Sequence, residues 1–207
     1  MSRITPITAA VAFIALSSAL SAAALAREGS WMVSAGVSLI DPKSDNLALS
    51  PGTTLELEEA VRPSFDFTYM LRDNWGIELF TSTFARHDLR VTSPTGSTAF
   101  GKIKLLPPTV SLQYHFNPEG RIRPFAGVGV NYTFVSDESP QGLVVGNSLG
   151  PAAQIGFDVG INERWYLNVS ARYADIDVDA RLGAVDLGSV TVDPVIYGLH
   201  FGYRLVL

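Results

Sequence analysis

The chain has 207 residues, 47% of them hydrophobic, a formal net charge of −5 and no cysteine. Without cysteine there is no disulfide framework, no zinc–thiolate centre and no cysteine nucleophile, so no cofactor is called for on that ground. The modest acidic balance, with no basic run, argues against a nucleic-acid partner. After the N-terminus no segment approaches the ~20 continuous apolar residues of a transmembrane helix.

Residues 1–26 read as a secretory signal peptide: Arg3 is a short basic start, Ile7 to Leu20 an apolar run, and Ala24-Leu25-Ala26 a small-x-small cleavage site. The alternative is a short N-terminal anchor helix, for which the run is short. Cleavage there predicts a mature chain beginning at Arg27 and a single domain over 27–207. Such an exported chain is either soluble or a β-barrel, and a closed barrel satisfies its own backbone through its ladder.

Eight strands follow in order. Ser30–Ile40 carries Trp31, Val33, Ala35, Val37 and Leu39 on one face, a period of two. Residues 41–61 form a long connection rich in Asp, Ser, Pro and Gly that also holds Leu47, Leu49, Leu55 and Leu57. Arg62–Leu71 alternates through Phe65, Phe67, Tyr69 and Leu71, with Ser64, Asp66 and Thr68 opposite. A turn at 72–74 leads to Trp75–Ala85, which sets Trp75, Ile77 and Leu79 against Glu78, Phe80 and Ser82. Arg86–Phe100 reads as a loop by its Pro94, Gly96 and Ser/Thr content.

A long hairpin comes next. Leu106, Pro108, Val110, Leu112, Tyr114 and Phe116 lie on one face, and Pro107, Thr109, Ser111, Gln113 and His115 on the other. Asn117-Pro118-Glu119-Gly120 is a tight-turn signal, and alternation resumes through Val128, Val130, Tyr132 and Phe134. Beyond a polar loop at 136–147, Leu149–Ile161 and Trp165–Tyr173 flank the turn Asn162-Glu163-Arg164. After a loop at 175–188, the last strand runs to the end of the chain through Val195, Tyr197, Leu199, Phe201, Tyr203, Leu205 and Leu207.

The connections alternate long and short, the pattern of an outer-membrane barrel with long extracellular loops and short periplasmic turns. A secreted β-sandwich, the alternative, has shorter strands and no such rhythm. The expected fold is therefore all-β, an eight-stranded antiparallel transmembrane barrel. Trp31, Trp75 and Trp165 each begin a strand leaving the periplasmic side, and Tyr132, Phe134, Tyr173 and Tyr197 fall towards the opposite rim. Two aromatic girdles match the two membrane interfaces, so the three tryptophans are expected to anchor one of them.

Leu105-Leu106-Pro107-Pro108-Thr109-Val110-Ser111-Leu112-Gln113-Tyr114-His115-Phe116-Asn117-Pro118, then Arg123-Pro124-Phe125 and Gly127-Val128-Gly129-Val130-Asn131-Tyr132, resemble the OmpW family of outer-membrane proteins. Asp73-Asn74-Trp75-Gly76, Tyr173-Ala174-Asp175-Ile176-Asp177 and Asp193-Pro194-Val195-Ile196-Tyr197-Gly198 extend the likeness over the mature chain. The resemblance implies location in the outer membrane of a Gram-negative bacterium, among lipid and lipopolysaccharide. It also implies a narrow, largely apolar lumen associated with uptake of small hydrophobic molecules. Such barrels usually end in an aromatic that the barrel-assembly machinery reads, and this chain ends in Leu207.

Phe80, Phe84, Phe125 and Tyr166 occupy the inward register and either line an apolar passage or fill the barrel. Leu47, Leu49, Leu55 and Leu57 either form the mouth of a hydrophobic funnel or cap the barrel. Asp66, Glu78, Asp158, Arg172 and Arg204 face inward with Gln113, His115 and His200, and are expected to pair. Glu58-Glu59, Asp137-Glu138 and Asp175-x-Asp177-x-Asp179 read as solvated loop charge, with divalent-cation binding as the alternative. None of the three histidines sits in a His-x-Ser element, which the resemblance to lipid A deacylases would require, so an enzyme is not expected.

Four descending strands carry proline in their upper part: Pro63, Pro107 with Pro108, Pro151 and Pro194. Proline has no N–H for the ladder. Successive nitrogens point to opposite neighbours, so the wall is expected to be weakest around Leu106–Thr109, on both flanks, as a lateral opening. The leading function is a channel for small hydrophobic solutes. The alternative is a structural, adhesive or receptor barrel acting through its extracellular loops.

Overall fold

The computed structural model describes residues 28–42, 47–50, 53–57, 59–139, 143–183 and 185–206; the expected signal peptide and Leu207 lie outside them. Its regular elements are strands: β1 (Ser30–Asp41), β2 (Leu47–Ser50), β3 (Thr53–Leu57), β4 (Ala60–Arg72), β5 (Trp75–Ser82), β6 (Ala85–Ser93), β7 (Gly96–Leu106), β8 (Thr109–His115), β9 (Ile122–Ser139), β10 (Leu143–Val145), β11 (Ser148–Gly160), β12 (Trp165–Ala174), β13 (Asp177–Leu182), β14 (Val185–Thr191) and β15 (Val195–Val206). In space, β11, β12, β15, β1, β4, β5, β8 and β9 are antiparallel neighbours, and β9 pairs with β11 to close an eight-stranded barrel. Closure leaves no free edge in these strands, so their ladders satisfy most of the spanning backbone inside the wall.

The register follows the alternation in sequence. On β5, Trp75, Ile77 and Leu79 are exposed while Gly76, Glu78 and Phe80 are buried, and a one-residue slip would exchange the two sets. Short turns join the strands at one end, and asparagines supply their local bonds. Asn162 Oδ1 accepts from the N–H groups of Arg164 and Trp165, both at 2.9 Å. Asn74 Nδ2 donates across to the carbonyl of His115 at 2.7 Å.

At the other end the connections are not loops. Residues 86–100, expected as a loop, are most of the hairpin β6–β7, paired from Ala85↔Leu105 to Ser93↔Gly96. Pro94 and Gly96 mark its tip, where Ser93 Oγ donates to the carbonyl of Gly96 at 3.0 Å and Gly96 has φ 141°, while Thr92, Ser97 and Thr98 lie on the paired strands. Residues 175–188 are likewise mostly the hairpin β13–β14, and 41–61 and 136–147 contain β2, β3 and β10. These extensions form two sheets. β7 pairs with the upper part of β9, and β6, β3 and β2 follow outward, continuous with the barrel. A separate three-stranded sheet has the order β10-β13-β14.

The outer face is apolar. Trp31, Trp75 and Trp165 are all outward on first turns of strands at the short-turn end, 38%, 40% and 40% exposed. Trp31 meets Tyr69, Trp75 meets Tyr114, and Trp165 meets both Phe201 and Tyr203, with ring centroids 4.6–5.0 Å apart. At the opposite end of the spanning strands, Tyr132 meets Phe134 edge-on at 4.6 Å, and Tyr173 and Tyr197 are exposed.

Candidate functional site in the barrel interior

The interior divides into layers by chemistry. Nearest the short turns, Met32, Met70 and Tyr166 form a buried apolar cluster. Above it lies a polar zone holding Arg123, His115, Asp158 and Asn168, all buried. Asn168 Nδ2 donates to Asp158 Oδ1 at 2.8 Å.

The middle of the barrel is an ion-pair network centred on Arg172. Its Nη2 donates to Asp66 Oδ1 at 2.7 Å and to Glu78 Oε1 at 3.2 Å, and Nη1 donates to Ser170 Oγ. Gln113 and Gln154 each donate to Glu78, at 2.6 and 2.9 Å. Ser34 Oγ donates to Asp66 Oδ2 at 2.8 Å, and His200 Nδ1 lies 3.1 Å from the same oxygen. Ser64 and Ser38 extend the chain of contacts beyond His200 Nε2. Strands β1, β4, β5, β8, β11, β12 and β15 all contribute, so the network ties the wall to itself across the lumen.

This corrects the expectation of a largely apolar lumen: between the Met32, Met70 and Tyr166 cluster and Phe80 the interior is polar. The buried acids Asp66, Glu78 and Asp158 are balanced in formal charge by Arg123, Arg172 and Arg204. The network is dense but not fully satisfied: Arg172 Nε, Gln154 Oε1 and both ring nitrogens of His115 are buried without a hydrogen-bond partner, and an eight-stranded wall encloses only a narrow interior for these side chains to fill.

The apolar part of the lumen begins at Phe80. Its ring is fully buried, packs with Ile40 and Ile196, and lies under the guanidinium of Arg172 at 4.4 Å from the ring centroid. The ring thus has the ion-pair network on one side and hydrocarbon on the other. Beyond it, towards the long hairpins, Ile40, Pro42, Leu105, Pro107, Thr133, Ile176, Val192 and Pro194 enclose an apolar cavity of ≈ 10 Å³, about the room for one water.

The inward aromatics named from sequence therefore separate. Phe80, Phe125 and Tyr166 are buried inside, 0%, 3% and 3% exposed, but Phe84 is 50% exposed and outside the lumen. The reason is local: β5 stops at Ser82 and β6 starts at Ala85, so the alternation that places Phe80 and Ser82 inward does not carry on to Phe84. Phe125 stacks against His115 with centroids 5.5 Å apart, in the polar part of the barrel and not in the apolar chamber. Leu47 and Leu49 lie on β2, Leu55 and Leu57 on β3, with Leu47 paired to Leu55; only their backbone is described. Arg123, fully buried, was missed as an interior charge, though its parity with Phe125 on β9 announces it.

The wall around Pro107 and Pro108 is interrupted more on one flank than on the other. Towards β9 the register is continuous from Thr109↔Asn131 to Leu106↔Phe134, and the Tyr132 N–H reaches the carbonyl of Pro108 at 3.0 Å. Towards β5 and β6 the ladder ends at Phe80↔Thr109 and resumes only at Ala85↔Leu105, with a shift in register. No ladder pair joins Thr81–Phe84 to Leu106–Pro108 between those two points. The interruption expected on both flanks is therefore unequal: two pairs are missing with the register kept towards β9, and the gap is wider, with the register shifted, towards β5 and β6. Asn131 Nδ2 also donates to the Pro108 carbonyl, at 3.3 Å, which helps hold the β9 side. Pro107 is buried against the apolar cavity, while Pro108 and Leu106 are half-exposed on the outside.

Among the described residues no group of three or more His, Cys, Asp or Glu side chains is arranged to hold a metal ion.

Comparison with known proteins agrees with this architecture. Outer membrane protein W of Salmonella typhi is 35% identical over 209 residues, covering 94% of this chain and 97% of that protein. Its counterpart from Escherichia coli K12 is 34% identical over 214 residues, with the same coverage. The crystal structure of OprG from Pseudomonas aeruginosa superposes with a TM-score of 0.75 at 30% identity, covering 87% of this chain and 98% of that one. The solution structure of the E. coli outer membrane protein W gives 0.63 at 32%, over 86% and 99%. A family model described as "OmpW family" matches residues 27–205, and the chain belongs to that family of outer-membrane β-barrels.

Proposed function

We propose that the protein carries small, neutral, hydrophobic molecules from the outer surface into the outer membrane itself, by an apolar chamber and a lateral exit. The observation that carries this reading is the position of Pro107. It lines the apolar cavity from inside and stands beside the stretch where the β5–β8 ladder has stopped and the β6–β7 ladder has not begun. Below the cavity, Phe80 and the Arg172 network close the axis. A hydrated ion meets hydrocarbon on entry and would lose its water without polar partners to replace it. An apolar solute has the opposite preference: the polar floor turns it back, and the gap leads to lipid.

Two further facts support the class of solute. The cavity wall contributes one hydroxyl, that of Thr133, and otherwise aliphatic and proline side chains. Among relatives at lower identity, 25% over 158 residues, is a protein of Pseudomonas aeruginosa named for a dibenzothiophene metabolism operon.

The test is the double substitution Pro107→Val with Pro108→Val. It restores two N–H donors and lets the β5–β6 flank complete its ladder. Uptake of a labelled apolar solute by cells should fall towards that of cells lacking the protein, while the barrel becomes harder to unfold. A double variant that is folded, equally abundant and transports at the wild-type rate would show that the route does not pass here.

A further inference from the structure

The separate sheet β10-β13-β14 is joined to the barrel along a line of irregular backbone. Four connections tie it to spanning strands; the one from β9 to β10 lies outside the described residues, and the other three are Gly146-Asn147, Asp175-Ile176 and Val192-Asp193-Pro194, each a break between two strands. At this line side chains join a few remaining backbone bonds, among them those of the Asp175 N–H to the Pro151 carbonyl at 2.9 Å and the Val192 N–H to the Ile176 carbonyl at 2.8 Å. Asn147 Oδ1 accepts from the N–H of Val135 at 3.0 Å, Ser148 Oγ from that of Asp177 at 3.1 Å, and Asp193 Oδ1 from that of Ile176 at 3.1 Å. Asp193 also has φ 35°, the one positive value outside glycine among the described residues. Left-handed backbone at a residue with a Cβ is held by its surroundings and is common where a chain bends or switches.

Three side-chain pins along one line make a crease. They break and remake by rotamer changes, and the backbone bond from Asp175 to Pro151 is a main-chain tie between a connection of the sheet and β11. The apolar cavity lies across this crease. Ile176, Val192 and Pro194 come from the connections of the separate sheet, while Ile40, Pro42, Leu105, Pro107 and Thr133 come from the fixed wall. At ≈ 10 Å³ the cavity admits no organic solute while these two sets of side chains touch. On the far side of the seam β14 comes close to β2, the strand that holds Leu47 and Leu49.

We infer that the β10-β13-β14 sheet is a hinged flap, and that its outward swing about the pinned line opens the chamber for entry of an apolar solute. This rests on the proposed solute route and adds to it the moving part and the side of entry. Opening separates Ile176 and Val192 from Leu105 and Ile40 and widens the chamber directly above Phe80. The lateral gap on the β5–β8 flank is made by fixed strands and is not part of this movement. Entry and exit are therefore different events at different walls.

The chain has no cysteine, so paired thiols can be introduced on a clean background. Leu105→Cys with Ile176→Cys places one thiol on the fixed wall and one on the flap, and Ile40→Cys with Val192→Cys repeats the test with other residues. Each full-length variant is joined in outer membranes by oxidation, or by bis-methanethiosulfonate reagents of graded length. Uptake of the labelled apolar solute is then measured before joining, after joining and after reduction. Each variant is its own reference: the expected result is uptake above that of cells lacking the protein before joining, uptake like that of such cells after it, and recovery of the variant's own unjoined rate on reduction. Joined protein of either pair that still transports at the unjoined rate overturns the flap. So does failure of every reagent to join either pair, since the two walls would then not meet. If wild-type and unjoined protein both transport no better than cells lacking the protein, the solute route itself is wrong.

Discussion

Arg172 is the residue on which the interior depends most. Its guanidinium meets Asp66 and Glu78 at once, and its far face covers Phe80. All three charged groups are buried, 4%, 3% and 2% exposed. Removing the cation leaves two carboxylates facing each other away from water, a loss of roughly 3–5 kcal/mol in comparable buried pairs. The contact with Phe80 adds about 0.5–2 kcal/mol. Arg172→Ala should therefore destabilise the barrel by several kcal/mol, read as a lower midpoint in urea unfolding of refolded protein in detergent. Phe84→Ala, on the outer face, should shift the midpoint little by comparison. Equal shifts for the two would mean that the network contributes nothing to stability.

At the scale of strands, a period of two has a single answer once one face is committed to lipid. That is why Asp66, Glu78, Gln113, His115, Asp158, Arg172, His200 and Arg204 were legible as inward residues from sequence, and all are buried. What alternation cannot say is which of them meet. Arg172 reaches Asp66 across 106 positions of sequence and Glu78 across 94, and only closure and tilt of the strands decide that. Phe84 was misplaced because the break after Ser82 resets the phase. The outer hairpins were hidden because Ser, Thr and Gly signal a turn as readily as a solvent-facing strand. A further strand-level contact was also invisible: Tyr166 lies across Gly202, where a Cβ would come within 2.1 Å of the ring. Its partner on the ladder is that same glycine. Gly202→Val must push the ring out of its cluster with Met32 and Met70. Overpacking of this kind typically costs about 1–3 kcal/mol. The same unfolding measurement checks it, and the companion Gly202→Val with Tyr166→Ala should recover part of the loss if the clash is the cause.

For the whole molecule, the two halves of the lumen set opposite conditions on anything that passes. The chamber above Phe80 is hydrocarbon, and the space below is a charge-balanced, hydrogen-bonded plug. An ion entering from the long-hairpin end must shed water against side chains that offer only the Thr133 hydroxyl. An apolar molecule pressing on towards the short turns must part Arg172 from Asp66 and Glu78 and leave them unsatisfied. On the proposed route neither travels the axis, unlike solutes of a porin, whose wider wall encloses water. Reconstituted in planar bilayers, the protein should give no steady, large, ion-selective current. Phe80→Ala should not create one, because the plug beneath it remains in place, whereas it should change the rate of apolar uptake by enlarging the chamber. Steady ion-selective currents from the wild-type protein would mean that the plug is not a seal. The lateral exit would then lose its reason, since a continuous aqueous path would already lead through the barrel.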